Sequence, residues 1–101
     1  MSRREELHDI LVETLGSTNV YFQPPPTVKM KYPCIVYGRN NVLMKNADNL
    51  LYKVNQSYMV TVIDANPDSL IPSRVAEIPQ CKFDRNFTAD NLNHEVYTIY
   101  Y

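Results

Sequence analysis

The run Tyr58-Met59-Val60-Thr61-Val62-Ile63-Asp64 restricts this chain more than any other, because it is apolar on both alternating sets of positions. Successive strand side chains point to opposite sides, so such a segment belongs in the middle of a sheet with cover on both faces. Around it, 101 residues with 45% hydrophobic content suffice for a single two-layer domain spanning 1–101, and leave little room for a cleft between domains.

The elements follow from local signals. Ser2 and Glu5 form a capping box, and Leu7, Ile10, Leu11 and Leu15 then recur at helical spacing, which predicts a helix over Arg3–Leu15 ended by Gly16. His8, Asp9 and Glu13 fall on its polar face, with His8 read as a solvated residue. Residues 19–23 read as a short edge strand running into Pro24-Pro25-Pro26, a stiff polyproline spacer. Tyr32-Pro33-Cys34-Ile35-Val36-Tyr37 is a strand with proline at its entry and Gly38 at its exit.

Residues 39–49 turn polar and read as a long loop, and residues 50–65 as one long strand or a bent pair. Ile71, Val75 and Ile78 lie at i, i+4 and i+7 between Pro72 and Pro79, a short second helix. Residues 81–85 form the next strand, 88–91 a polar turn, and 93–101 an antiparallel last strand. That last strand reaches the end of the sequence without a polar tail, and an end so rich in Tyr and aliphatics is expected to be docked. The order implies an α+β fold, a mostly antiparallel sheet of about five strands with two helices packed on one face.

One sheet face is then left without helices. The eight tyrosines are expected to spread over it, a residue bias of protein interfaces, and this marks the chain as a subunit of an assembly. Alternate positions on neighbouring strands share a side, so Tyr58, Val60, Val62, Tyr97, Ile99 and Tyr101 are the candidate self-association surface.

Chemistry is sparsely represented. A net charge of −1 gives no electrostatic footprint for nucleic acid. Arg3, Arg4, Lys29, Lys31, Arg39 and Lys45, interleaved with Tyr32 and Tyr37, make a modest basic group suited at most to incidental contact with DNA. Cys34 and Cys81 read as small buried thiols, and with only His8 and His94 to add, no metal site is expected. Asp64, Asp68, Asp84, Asp90 and His94 are the best enzymatic constellation, that of a small metal-dependent nuclease, but their spacing is unspecific. Asp84 beside Arg85 is read as one half of cross-strand charge pairing, and Asp90 as the cap of its own turn. With two glycines there is no phosphate-cradling loop, and no nucleophile motif occurs, so neither an enzyme nor a cofactor is expected. No apolar run approaches the roughly 20 residues of a spanning helix, and the charged amino-terminal residues lack a signal-peptide core, which predicts a protein that stays in the compartment where it is made.

The strings Lys31-Tyr32-Pro33-Cys34-Ile35-Val36-Tyr37, Tyr58-Met59-Val60-Thr61-Val62-Ile63-Asp64, and Phe83-Asp84-Arg85 with Thr88-Ala89-Asp90-Asn91-Leu92-Asn93-His94 resemble, in this order, the small neck proteins of long-tailed bacteriophages. The tail-terminator, or tail-completion, group is the nearest in kind. The resemblance implies a structural virion protein, assembled in the host cytoplasm, that forms a typically six-membered ring. Such a ring ends the tail tube and presents a surface to the head-tail connector. The tail tube protein and the connector protein are the implied partners, with no membrane and no catalytic role. Head-tail connector, or stopper, proteins share this size and composition and form the alternative. Loops 23–28 and 38–49, with Arg39, Asn41 and Lys45 in the latter, are the segments expected to order on a partner.

Overall fold

The computed structural model describes residues 2–40 and 56–101. Helix α1 (Arg3–Leu15) starts where the capping box requires: Ser2 Oγ accepts from Glu5 N–H at 3.1 Å, and Ser2 N–H donates to Glu5 Oε1 at 2.9 Å. It ends at Gly16, whose φ of 80° is left-handed backbone and whose N–H donates to Val12 O at 2.9 Å. Strand β1 (Val20–Phe22) follows, then β2 (Cys34–Arg39), β3 (Ser57–Asp64), a short helix α2 (Ile71–Ala76), β4 (Cys81–Ala89) and β5 (Leu92–Tyr100).

The five strands form one sheet in the order β1-β2-β3-β5-β4, so β3 is central, as its composition demanded. β1 runs parallel to β2 and the other pairs are antiparallel. The fold is α+β, with a mostly antiparallel sheet and both helices packed on it. β1, three residues long and followed by the prolines, is one edge; β4, nine residues long, is the other.

Leu7, Leu11 and Leu15 of α1 and Ile71, Val75 and Ile78 from α2 and its exit pack on Val20, Ile35, Tyr37, Tyr58, Val60, Val62, Tyr97 and Ile99. Each such aliphatic side chain contributes about 1.5–3 kcal/mol when fully removed from water. Tyr97 Oη, inside this layer, donates to Pro72 O at 3.1 Å, which ties β5 to the start of α2.

Several sequence expectations change here. Gly38 lies inside β2 rather than at its exit. The chain turns back over that spot: Gln23 N–H donates to Tyr37 O at 2.9 Å, and Gln23 Oε1 accepts from Arg39 N–H at 3.1 Å. A Cβ on Gly38 would come within 3.0 Å of Gln23 Cγ, so the glycine permits a close approach rather than ending the strand. β4 continues past residue 85 to Ala89, and the polar turn shrinks to Asp90 and Asn91, with φ of 54° and 62°. Two left-handed residues make the two-residue turn that suits the twist of a hairpin. Of the long 50–65 element, Ser57–Asp64 is a strand; residues 50–55 and the loop part 41–49 lie outside the described residues.

Candidate interaction surface

The strand register decides which side chains share a side. Tyr58 pairs with Ile99, Val60 with Tyr97, and Val62 with Glu95. The candidate set Tyr58, Val60, Val62, Tyr97 and Ile99 therefore does occupy one face, but it is the face beneath the helices. All five are at most 5% exposed in the chain's own core and present no surface to another subunit. Alternation reports which residues face the same way; the expectation failed because it does not report which way the helices lie. Tyr101 continues the same side at the margin of the core, half-buried, with its hydroxyl donating to Glu6 at 3.1 Å and Arg3 lying 5.0 Å above its ring.

The opposite face is composed differently. Register places Tyr21, Cys34, Val36, Gly38, Met59, Thr61, Ile63, His94, Val96 and Thr98 there. Cys34, Ile63 and Val96 are buried, whereas Val36, Thr61 and Thr98 are half-buried and Met59 is exposed. Among the described residues, cover on the second side of β3 is thus incomplete, against the expectation of a strand sheltered on both faces. Of the described tyrosines, Tyr21 and Tyr100 share that side by register, whereas Tyr37, Tyr58 and Tyr97 point into the helix-covered core and Tyr101 packs at its margin.

Two features of this side are suited to contact. Next to the β1 edge, Gln23, Val36, Gly38, Arg39, Asn40, Met59 and Thr61 line a shallow groove of about 460 Å³ with an apolar floor. Lys31 N–H donates to Tyr21 Oη at 3.2 Å, which lays the segment carrying Lys29 and Lys31 along the same margin. At the other edge the β4–β5 hairpin is solvent-exposed along almost all of β4. A bulge between Phe83 and Arg85 reverses the phase of that strand. Phe83 consequently meets Tyr97 edge-on, with centroids 5.5 Å apart, whereas Phe87 stacks flat on His94 on the open side at 4.5 Å. The two rings are 52% and 45% exposed, among the most exposed large apolar side chains of the described residues.

The residues considered for catalysis are dispersed in local roles. Asp84 pairs with its neighbour Arg85 at 2.9 Å, not across a strand as expected. Asp64 accepts from Asn66 N–H at 2.9 Å, Asp90 occupies the hairpin turn, and His94 Nδ1 lies 3.1 Å from Leu92 O. Asp68 contributes its backbone N–H to Asn66 Oδ1. Among the described residues no group of three or more His, Cys, Asp or Glu is placed to hold a metal ion.

His8 is not simply solvated: its Nδ1 lies 2.7 Å from Tyr37 Oη, and Arg4 donates to the same oxygen at 3.4 Å. Burial pushes the Tyr37 hydroxyl above its ordinary value, with Arg4 opposing. Arg4 also lies 4.7 Å over Phe22, and Tyr37 is buried, so this part of the basic group is turned to the protein's own rings rather than to bases. Lys29, Lys31 and Arg39 are exposed; Asn41 and Lys45 lie outside the described residues. Among the described residues no helix is long and apolar enough to cross a membrane. No protein-family model, no curated protein and no solved structure matches this chain.

Proposed function

We propose that the chain is a structural subunit of the neck of a tailed bacteriophage, forming a ring that terminates the tail tube and offers its other side to the head connector. The observation that carries this reading is the pair of unlike surfaces at opposite ends of the sheet: an apolar groove bordered by basic residues near β1, and an exposed aromatic hairpin at β4. A ring is built from heterologous contacts, and each subunit of one needs two different patches. The element order and the resemblance of the sequence strings to those of neck proteins supply the biological setting. The local roles of Asp64, Asp84, Asp90 and His94 take away the motive for reading the chain as a nuclease.

Virions assembled without the protein test the proposal. Electron microscopy is expected to show abnormally long tails, and the purified chain is expected to co-purify with the tail tube protein. Tailless heads that leak DNA would move the chain to the connector, or stopper, position. Tails of normal length on filled heads would overturn the reading.

A further inference from the structure

We infer that copies of this chain join head to tail, the β4–β5 hairpin of one seated in the groove between β1 and β3 of the next. The inference rests on the ring reading above and specifies its subunit contact.

Three observations converge on a second copy as the occupant. First, the groove lies over β2 and β3 and the hairpin forms the far edge of the same sheet, so one molecule cannot seat its own hairpin in its own groove. Along β3 and across β5 to β4, Met59 and Phe87 are separated by two strand spacings and by four residues of strand, on the order of 16 Å. Second, the surfaces match in kind: the groove floor is Val36, Met59 and Thr61, and the hairpin presents the Phe87 ring on its His94 backing toward the same side of the sheet. Third, the charges are complementary. Residues 17–40 carry Lys29, Lys31 and Arg39 and no carboxylate, whereas on the hairpin Asp84 is paired with Arg85 and Glu95 lies on the helix-covered side, which leaves Asp90 as the charge at its tip. Asp90 is exposed at the turn itself, where it would lead the hairpin toward the basic margin.

Edge-to-edge pairing of β4 with another β4 is the less suitable contact. The bulge breaks the ladder at its middle, and Lys82 and Arg85 flank the break, devices that discourage strand addition. β1 is too short and too close to three prolines to extend the sheet from the other side.

The test uses two variants of the full chain, Met59→Lys in the groove and Phe87→Lys on the hairpin, both at exposed positions. Sedimentation velocity of the wild type over a concentration series is expected to show association beyond the dimer. Each variant alone should be monomeric, with self-affinity reduced roughly tenfold or more. Mixed one to one, they should form dimers and nothing larger, because each still offers the surface that the other lacks. Should either fail to fold by circular dichroism, Arg39→Glu and Asp90→Lys replace them: each alone should associate more weakly than the wild type, and their one-to-one mixture should regain association beyond the dimer, because the native and the exchanged charges both attract. Association of a single variant as strong as the wild type, a mixture that does not pair, or a wild type monomeric throughout would each overturn the contact. The ring reading fails on different data, namely normal tails in virions made without the chain.

Discussion

Cys34 is fully buried on the open side of the sheet, across from Ile63, and burial, reinforced by Asp64, pushes its thiol up to about 11. At pH 8 the thiolate is then roughly one in a thousand molecules, and the sulfur is also shielded. Cys81, half-buried and also raised by burial, sits at the start of the edge strand. Iodoacetamide at pH 8 is therefore expected to label Cys81 first, and Cys34 only as fast as the chain opens, a rate that mass spectrometry should show rising with urea. Tyr97 illustrates a second residue-scale distinction. Phenylalanine there removes only the bond to Pro72 O and should cost about 1 kcal/mol in a urea titration. Tyr97→Asp would put a carboxylate into a layer where Tyr97 is 5% exposed, and is expected to abolish the cooperative transition altogether. At the margin, the two bonds from Ser2 hold the Glu5 carboxyl below its ordinary value, with Arg4 adding to the effect. Its contribution to α1 is accordingly present above the unfolded value near 4.5 and is lost as pH falls through the lower folded value, a loss that Glu5→Gln should abolish and that Ser2→Ala, which keeps the residue 2 N–H, should only reduce.

At the level of elements, legibility followed how local the determining physics is. α1 was readable to the residue because Ser2, Glu5 and Gly16 act within a few positions of themselves. Its end also makes a sharp prediction: Gly16→Ala meets no neighbouring atom within 4 Å, so its whole cost is the left-handed backbone, about 1 kcal/mol in thermal or urea unfolding. α2 was found from Pro72 and Pro79 and three apolar positions, all of which are buried. The sequence ends β4 at Arg85 because the bulge moves Phe83 and Phe87 to opposite sides and destroys the alternation that marks a strand. The strand there is imposed by pairing with β5, a long-range cause that a window of residues does not contain. The true turn, Asp90-Asn91, follows the rule for two-residue hairpins but lacks the glycine that usually advertises it. Asn91→Gly, which relieves a φ of 62°, should raise stability by about 0.5 kcal/mol without altering self-association.

For the whole molecule, the sequence conveyed that this chain has more apolar sheet than two short helices cover, and it placed the surplus on the wrong residues. Period-two reasoning leaves the two faces interchangeable and so allows Tyr58, Val60, Val62, Tyr97 and Ile99 to point outward; the helices, which approach through tertiary packing, break that symmetry. What stays uncovered is smaller and divided: Met59 with its groove at one end, Phe83 and Phe87 at the other. A contact built this way has separable physical parts, an aromatic ring in an apolar groove and a few charges at its border. Charges at a border steer encounter and are screened by salt over about 10 Å at 0.1 M, whereas desolvated apolar contact governs how long a complex lasts. The one-to-one mixture of the Met59→Lys and Phe87→Lys variants isolates a single interface of this kind. Its association rate, followed by stopped-flow light scattering, is expected to fall severalfold between about 0.05 and 0.5 M salt while its dissociation rate changes little. Arg39→Glu should erase most of that salt dependence by removing a border cation, and Asp90→Lys combined with Arg39→Glu should restore it, because the exchanged charges again attract. A dissociation rate that rises with salt as steeply as association falls would mean that ion pairs, not the Phe87 ring in its groove, hold the copies together.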